Sequence, residues 1–395
     1  MKSHAFTRAL AVIVGCGGLS ACASLIGIDP FSSTGDAGPR DGHAGVDAPR
    51  SSEGGSGTGS ASGTGSSTGT GSGSGSGSAH GDSGSDAGFD AACISGMCPT
   101  TLTTLAFGQP EPLGLAVDST SVYWTNNVTF STVLKESTRG GNAVTLASEQ
   151  NAPQFLAIDA TTVYWTDVGG GTVMSVPRSG GTPITLAYAQ AYPGAITVDP
   201  TSVYWMNYGS GSGSGTVLKV PLAGGAYTTL ASGQNNPSLI AVTATNVFWT
   251  DNGTSANNYA DGTVMRTALD GSNLTTLASG QPNPNGIAVD AVNVYWANST
   301  VCYSCDQGTI LSMPLAGGPV STIASNQDNP TFLAVDVVNA YWTNDDGTVV
   351  RTSAAGGGTL FQLAGGQNGP QTIAVDATSA YWTTSDGMVM KATPK

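Results

Sequence analysis

Short hydrophobic runs alternate with turn residues along residues 101–395, and four such runs form one unit. In one unit, aliphatic and aromatic residues cluster at 287–290, 294–296, 308–311 and 320–324, and Gly, Pro, Asn and Asp fill the gaps. β-Branched and aromatic residues in runs of this length are typical of strands. Helical periodicity is missing throughout the region, so the pattern predicts an all-β domain with four strands per unit.

The unit occurs seven times, and a tryptophan marks each copy. The spacings between successive tryptophans are 41, 40, 44, 47, 46 and 40 residues, and an aromatic residue precedes each one. A period of about 40–50 residues with four strands is typical of β-propeller blades. The pattern therefore predicts a seven-bladed β-propeller with the tryptophans in its core. The pairs are Tyr123/Trp124, Tyr164/Trp165, Tyr204/Trp205, Phe248/Trp249, Tyr295/Trp296, Tyr341/Trp342 and Tyr381/Trp382.

The two ends of the repeat region complement each other. Residues 101–106 resemble the fourth strand of a unit, whereas the last unit ends at 388–391 with a segment that resembles a third strand. Pairing the two segments would remove free sheet edges, which are otherwise templates for aggregation. We therefore expect the N-terminal strand to complete the last blade and close the ring.

An aspartate ends the first strand in six units, and Thr243 replaces it in the fourth. Asp at the end of a strand hydrogen-bonds the backbone of the following turn, so we expect a structural role. A ring of cation-binding carboxylates is the alternative, as is calcium at Asp345 and Asp346. The six residues are Asp118, Asp159, Asp199, Asp290, Asp336 and Asp376.

The sequence Tyr-Trp-Thr-Asp at 164–167 resembles the YWTD repeat of low-density-lipoprotein-receptor-like propellers, and Phe-Trp-Thr-Asp at 248–251 differs by one residue. The Ile-Ala-Val-Asp strand that precedes such a motif is similar to NHL-type blades and to virginiamycin B lyase-like propellers. YWTD propellers have six blades, whereas seven units are present here. The resemblance implies the fold, together with a structural hydrogen-bonding role for Asp167 and Asp251.

The N-terminus resembles a bacterial lipoprotein signal peptide. A basic segment and a short apolar run precede Leu-Ser-Ala-Cys at 19–22, which is similar to a lipobox. The apolar run is too short to span a bilayer about 30 Å thick. The resemblance implies removal of residues 1–21 and lipid attachment at Cys22. An ordinary secretory signal is the alternative, and Cys16 is the reserve cleavage site.

Ala23 follows the predicted lipidated cysteine, where Asp marks retention in the inner membrane of many Gram-negative bacteria. The resemblance therefore implies a protein of the cell envelope that is lipid-anchored in the outer membrane. Residues 22–92 are rich in Gly, Ser and Thr. Such a segment has too little apolar surface to offset its ordering entropy, which predicts a disordered tether before a propeller at 93–395.

The net charge is −14, which excludes general electrostatic binding to nucleic acid or to anionic lipid. We expect a monomer that meets the membrane through the lipid at Cys22 and has no nucleic-acid partner.

Four cysteines remain for the folded part of the chain. Cys93 and Cys98 flank a short loop, as do Cys302 and Cys305, and an oxidising envelope favours two local disulfide bonds. A shared zinc site and a redox-active Cys302/Cys305 pair are the alternatives.

Residues suited to catalysis are scarce in the predicted propeller. It contains no histidine, which excludes Ser-His-Asp and Cys-His mechanisms, and its only glutamates are Glu111, Glu136 and Glu149. We therefore predict that the protein is not an enzyme and has no catalytic residue, metal or cofactor. A lyase or lactonase with carboxylates and a metal in the central channel is the alternative.

The connections between second and third strands grow long only in the third, fourth and fifth units. Tyr and Asn in adjacent long loops are typical of a recognition surface, because Tyr supplies contact area at low entropic cost. We predict a non-catalytic binding or interaction module for an unidentified protein or glycan. A structural envelope protein without a discrete ligand is the alternative. The candidate binding residues are Tyr208, Asn257, Asn258, Tyr259 and Tyr303.

Overall fold

The structure, a computed structural model, describes residues 100–299 and 307–395. Within these ranges the chain forms strands β1 to β28 and one short 3-10 helix, Ser255–Asn257. The strands form seven separate four-stranded sheets with antiparallel pairing. The described residues contain no helix that is long and apolar enough to cross a membrane.

In the first three blades, the four strands follow one another along the chain. Blade 1 contains β2 (Pro112–Val117), β3 (Ser121–Asn126), β4 (Thr129–Ser137) and β5 (Val144–Asn151). Blade 2 contains β6 (Pro153–Ile158), β7 (Thr162–Asp167), β8 (Thr172–Pro177) and β9 (Ile184–Ala187). Blade 3 contains β10 (Pro193–Val198), β11 (Ser202–Asn207), β12 (Gly215–Pro221) and β13 (Thr228–Gln234).

The next three blades repeat the same order. Blade 4 contains β14 (Pro237–Val242), β15 (Asn246–Asp251), β16 (Gly262–Ala268) and β17 (Thr275–Gln281). Blade 5 contains β18 (Pro284–Val289), β19 (Asn293–Asn298), β20 (Gly308–Pro314) and β21 (Ser321–Gln327). Blade 6 contains β22 (Leu333–Val335), β23 (Asn339–Thr343), β24 (Val349–Ser353) and β25 (Phe361–Ala364).

Blade 7 takes its strands from both ends of the described chain. It contains β26 (Pro370–Val375), β27 (Ala380–Thr384), β28 (Val389–Thr393) and β1 (Thr101–Ala106). β1 pairs with β28, with Thr101 opposite Thr393 and Thr104 opposite Met390. The predicted all-β, seven-bladed propeller and its closure by the N-terminal strand are therefore confirmed.

The first strands of successive blades contact one another in turn, and β26 of blade 7 contacts β2 of blade 1. These seven strands therefore surround the central axis, and the fourth strand of each blade lies outermost. The fourth-to-first and second-to-third connections share one face, which we call the loop face. The remaining connections form the opposite face.

Each blade presents its Tyr side to the next blade and its Trp side to the preceding one. Tyr123 lies opposite Ala116 in blade 1, and Trp165 lies opposite Leu156 in blade 2. Between the two blades, Leu156 and Trp165 pack against Ala116 and Tyr123. All seven Trp side chains are fully buried, and loss of a buried Trp side chain costs about 3–5 kcal/mol. The small alanine leaves the space that the neighbouring Trp fills.

Basic residues on third strands link several neighbouring blades. In four places an amine or guanidinium donates to a backbone carbonyl in the third-to-fourth connection of the following blade, at 2.6–2.9 Å. Such charge-assisted bonds are stronger than neutral ones, and one of them joins blade 7 to blade 1. The bonds are Lys135 Nζ to Arg178 O, Lys219 Nζ to Leu269 O, Arg266 Nη1 to Leu315 O and Lys391 Nζ to Thr138 O.

The aspartate at the end of the first strand caps a turn on the opposite face, as expected. Asp118 Oδ1 accepts the N–H groups of Thr120 and Ser121 at 2.7 and 2.9 Å. Its Oδ2 accepts the Tyr123 hydroxyl at 3.0 Å. Burial raises the pKa of Tyr295, the equivalent tyrosine of blade 5, to about 12.

Blade 4 lacks both members of this carboxylate–hydroxyl pair. Thr243 stands in place of the aspartate and Phe248 in place of the tyrosine, so neither change leaves a buried group unpaired. Thr243 Oγ1 still accepts the N–H of Asn246 at 3.1 Å. The six intact pairs are Tyr123/Asp118, Tyr164/Asp159, Tyr204/Asp199, Tyr295/Asp290, Tyr341/Asp336 and Tyr381/Asp376.

Candidate functional site

A glutamine on the loop-face side binds the tryptophan of every blade. Each Trp Nε1 donates to the Oε1 of a Gln that lies 15 residues earlier, at 2.9–3.1 Å. Sequence analysis missed these residues, although the constant offset from Trp is a signal that identifies them. The pairs are Gln109/Trp124, Gln150/Trp165, Gln190/Trp205, Gln234/Trp249, Gln281/Trp296, Gln327/Trp342 and Gln367/Trp382.

The connection after each glutamine enters the first strand through a residue with positive φ, which lies between 45° and 56° in every blade. A proline follows in each case. This conformation costs non-glycine residues about 1–3 kcal/mol and often marks functional sites. Here the seven residues with this conformation surround the central opening of the loop face. The residues are Glu111, Ala152, Tyr192, Asn236, Asn283, Asn329 and Gly369.

We call the residues directly after these prolines the channel mouth, because the seven first strands surround the axis at that level. Their side chains are mostly polar, and none is charged. Amide and hydroxyl groups both donate and accept hydrogen bonds, so they suit uncharged polar ligands. The channel mouth consists of Leu113, Gln154, Gly194, Ser238, Asn285, Thr331 and Gln371.

Polar groups near blades 4 and 5 satisfy one another. Asn252 Nδ2 donates to Asn283 Oδ1 at 2.7 Å and to Asn285 Oδ1 at 2.9 Å. Ser238 Oγ donates to Asn285 Oδ1 at 3.2 Å, and Asn285 Nδ2 donates to Ser299 Oγ at 3.0 Å. A buried network that is paired in this way is rigid. This side of the channel mouth is therefore preformed.

The side at blades 2 and 3 differs. Gln154 is 4% exposed, and its Oε1 is buried without a hydrogen bond among the described residues. The Tyr208 ring lies over the inner strand of blade 3, where a Cβ on Gly194 would be 2.6 Å from Tyr208 Cζ. Burial raises the pKa of Tyr208. An unsatisfied buried polar group costs about 1–3 kcal/mol, which a partner for Gln154 Oε1 would recover.

The long loop of blade 4 is held by Asp261. Its carboxylate accepts Asn257 Nδ2 and the N–H and Oγ1 of Thr254, each at 2.7 Å, and these bonds lower the pKa of Asp261 to about 2. Asn257 and Asn258 are exposed, whereas Tyr259 is half-buried. The two asparagines are therefore open to a ligand, and the tyrosine contributes less surface than the sequence indicated.

Exposed aromatic side chains lie in or beside loop-face connections of other blades. Two follow a fourth strand directly, one directly precedes β10, and one lies near the start of β4. Sequence analysis gave no weight to them, because each stands alone between turn residues. Exposed aromatic surface on a soluble protein often marks an interaction site. We call these four residues the aromatic rim; they are Phe107 (81% exposed), Phe130 (86%), Tyr188 (67%) and Tyr192 (48%).

Several predicted site residues lie outside the described part of the chain, so their roles stay predictions. No three His, Cys, Asp or Glu side chains among the described residues come together as a metal site. Asp346 Oδ1 accepts the N–H of Thr348 at 2.9 Å and so caps its own turn. The residues outside the described ranges are Cys22, Cys93, Cys98, Cys302, Tyr303 and Cys305, together with 1–21 and 22–92.

No protein-family model matches the sequence, and no curated protein matches it. Solved structures share the fold. A streptogramin B lyase is 14% identical with a TM-score of 0.60, and the match covers 75% of this chain and 98% of that chain. A catalytically inactive virginiamycin B lyase from Staphylococcus aureus, solved with quinupristin, is 15% identical with a TM-score of 0.60, covering 74% and 99%. An oligogalacturonate lyase in complex with manganese is 11% identical with a TM-score of 0.56, covering 75% and 91%.

These similarities confirm the expected likeness to virginiamycin B lyase-like propellers. The prediction that the chain is not an enzyme is wrong, because the solved propellers that share its fold include enzymes, three of them lyases. Missing histidines argue against histidine-based mechanisms but give no ground for excluding catalysis on this scaffold. At 14%, 15% and 11% identity, the likeness shows the fold alone and transfers no reaction to this chain.

Proposed function

We propose that this chain is a lipid-anchored envelope protein whose propeller binds a glycan or an uncharged protein segment at the channel mouth. The supporting observation is the neutral lining of amides and hydroxyls, in which Gln154 Oε1 is buried without a partner. Sugar hydroxyls and peptide groups are matched donors and acceptors for such a lining. Anionic ligands find no basic side chain at the channel mouth.

The aromatic rim extends this surface away from the axis. Rigid aromatic side chains lose little conformational entropy when they bind, and their faces pack against sugar rings or apolar side chains. The rim residues lie on blades 7, 1 and 2 and at the entry to blade 3, whereas the long loops belong to blades 3 to 5. The ligand therefore contacts both halves of the loop face.

The proposal also concerns the location of the protein. This part includes the signal peptide at 1–21, lipidation at Cys22 and the tether at 22–92. A flexible tether lets the propeller sample a range of positions above the membrane. Radiolabelled palmitate should label the wild-type chain and leave Cys22→Ala unlabelled. Equal labelling of both proteins would remove the lipid anchor from the proposal.

Binding is tested by screening the protein against envelope glycans and peptides, followed by calorimetric titration. Gln154→Leu installs the residue that blade 1 has at the equivalent position, and Tyr208→Phe removes only the hydroxyl. We expect each variant to weaken binding about 5- to 150-fold, as one to three kcal/mol of lost hydrogen bonding would. Analysis of the ligand after incubation shows whether it is also chemically changed.

A matched pair of asparagines supplies the control. Asn258→Ala changes an exposed residue in the long loop of blade 4 on the loop face, whereas Asn273→Ala changes a residue on the opposite face of the same blade, and both positions have positive φ. Weaker binding for the first variant and unchanged binding for the second support the proposal. Equal effects of the two variants, or full binding by Gln154→Leu, contradict it.

A further inference from the structure

In four blades, an asparagine at the end of the second strand donates to the glutamine that binds the tryptophan. The Asn Nδ2 to Gln Oε1 distances are 3.2, 3.0, 3.0 and 3.3 Å. The Gln Oε1 therefore accepts two donors, one from Trp and one from Asn. The pairs are Asn126/Gln109, Asn207/Gln190, Asn298/Gln281 and Asn344/Gln327.

Blades 2 and 4 have an aspartate at this place, Asp167 and Asp251. The glutamine beside Asp251 cannot turn its amide to meet a carboxylate. Gln234 Nε2 already donates to Ser232 O at 2.8 Å, and its Oε1 accepts Trp249 Nε1 at 2.9 Å. Because Trp Nε1 only donates, it fixes which end of the glutamine is oxygen.

The atoms of the two residue types correspond. In blade 6, Asn344 Nδ2 also donates to Oγ1 of Thr348, directly before the third strand, at 3.0 Å. In blade 4, the equivalent Thr263 Oγ1 lies 3.5 Å from Asp251 Oδ2. Asp251 Oδ2 thus corresponds to the amide nitrogen, which in four other blades donates to the glutamine oxygen. Asp251 Oδ1 is buried without a partner, as is Asn344 Oδ1.

We propose that Asp251 is a buried proton-binding site: its Oδ2 carries a proton and donates it to Gln234 Oε1, as the asparagines of other blades donate their N–H. The proton comes from solvent when the chain folds and returns to solvent when the group ionises. The bond joins the end of blade 3 to the strand that precedes the long loop of blade 4. Ionisation replaces it by two oxygens that repel each other, directly beneath the loop face.

The surroundings of Asp251 agree with this assignment. Burial raises the pKa of Asp251 to about 8. Burial also raises the pKa of Asp167 to about 6, and there the N–H of Asn151 supplies a donor to Oδ2 at 3.1 Å. Thr263 and Trp249 donate hydrogen bonds to the Asp251 carboxyl and lower its pKa by less than burial raises it, and neither carries charge.

Two other titratable groups lie in the loop after β15. The carboxylate of Asp261 accepts hydrogen bonds from Thr254 and Asn257, and Tyr259 is half-buried. No charged group among the described residues shifts the pKa of Asp251. Asp251 therefore retains its proton because it is buried and because the proton is donated to Gln234 Oε1.

The direction of the pH effect follows from proton binding. The ordinary pKa of 3.8 applies in the unfolded chain and about 8 in the folded one, so between these values the folded state binds more protons. The free energy of unfolding therefore decreases as the pH rises through this window. Asp251→Asn keeps the N–H donor at every pH and removes this dependence.

The test compares the melting temperature Tm of the wild-type chain and of Asp251→Asn at about pH 5 and about pH 9. We expect the Tm of Asp251→Asn, relative to that of the wild-type chain, to be several degrees higher at the alkaline pH than at the acidic one. The control Asp261→Asn removes a carboxylate in the same loop whose pKa is about 2 folded and 3.8 unfolded, so its change in Tm relative to wild type should be the same at both pH values. An advantage of Asp251→Asn that is equal at both pH values overturns the proposal.

Infrared spectroscopy of the wild-type chain gives a second reading that does not depend on a variant's folding. A protonated carboxyl group has a C=O stretching band that an ionised carboxylate lacks. We expect this band near neutral pH, its loss above about pH 8, and a much weaker band in Asp251→Asn, because Asp167, with a pKa of about 6, is mostly ionised near neutral pH. A wild-type spectrum without the band near neutral pH also overturns the proposal.

Discussion

At the residue level, each blade buries its tryptophan together with one glutamine that satisfies the indole N–H. The pair joins the core to the loop face, because the glutamine also donates to its own connection, as Gln190 does to Tyr188 O at 2.7 Å. A buried donor that loses its acceptor costs about 1–3 kcal/mol. The glutamine is therefore as necessary to the core as the aromatic ring is.

Replacing Gln190 by Met should lower the free energy of unfolding by about 1–3 kcal/mol for each of two lost acceptor bonds. Trp205 Nε1 and Asn207 Nδ2 both donate to Gln190 Oε1 at 3.0 Å. In blade 2, Gln150 Oε1 accepts one bond from the described residues, from Trp165 Nε1 at 3.1 Å, so Gln150→Met should cost about half as much. Urea denaturation measures both variants. A larger loss for Gln150→Met would show that the asparagine bond adds nothing.

The aspartate–tyrosine pairs should behave as coupled units. Tyr204→Phe removes the donor to Asp199 Oδ2, and Asp199→Thr removes the acceptor. The double variant recreates the Thr/Phe combination that blade 4 has at Thr243 and Phe248. We expect a coupling energy of about 0.5–3 kcal/mol, measured by a double-mutant cycle in urea. Tyr227→Phe is the control. Strict additivity of the two single changes would contradict the pairing.

The roles of some residues could be predicted from the sequence and those of others could not, and the reasons are physical. Asp118 and its equivalents were predictable because capping of a turn is a local interaction. The position of Tyr208 was not, because it depends on Gly194, whose missing side chain leaves space for the ring. The glutamine was overlooked because it is polar and lies in a turn, although its partner is the core tryptophan.

β1 is the one strand whose place in its blade does not follow the order of the strands along the chain. Its hydrogen bonds with β28 complete the outer edge of blade 7, with a register shift between Thr104 and Ala106. Lys391 on β28 in turn donates to Thr138 O of blade 1 at 2.8 Å. Loss of β1 would expose β28 as a free edge, which favours pairing with other chains.

Deletion of residues 101–106 should therefore lower Tm strongly and promote aggregation, because the whole ring depends on the closed blade. Deletion of 51–78 from the predicted tether is the matched control and should leave Tm unchanged. Differential scanning calorimetry and light scattering measure the two effects. A β1-deleted chain that melts like the parent would contradict closure by this strand.

The whole molecule is a ring in which every blade depends on two neighbours. Since the Trp side of one blade packs on the Tyr side of the preceding one, no blade has a separate core. The number of blades was predictable because each unit places its tryptophan at one position. Catalytic capacity could not be predicted, because the same strand pattern also occurs in lyases that are only 14%, 15% and 11% identical to this chain.

Such a ring should unfold in a single transition. Trp249→Ala in blade 4 should cost about 3–5 kcal/mol and shift the far-ultraviolet circular dichroism and tryptophan fluorescence transitions by the same amount. The six remaining tryptophans report on the other blades. Fluorescence and circular dichroism transitions with different midpoints would show that blade 4 unfolds on its own.

The direction of β1 also determines how the protein bears tension. β1 begins at Thr101 on the opposite face and ends at Ala106, where the chain enters a loop-face connection. If the proposed anchor holds the chain before Thr101 and a ligand on the loop face is pulled away from it, the force acts along β1. Its hydrogen bonds with β28 are then loaded in shear and share the force, whereas peeling would break them one after another. The closing strand is thus oriented to keep the ring intact under mechanical load.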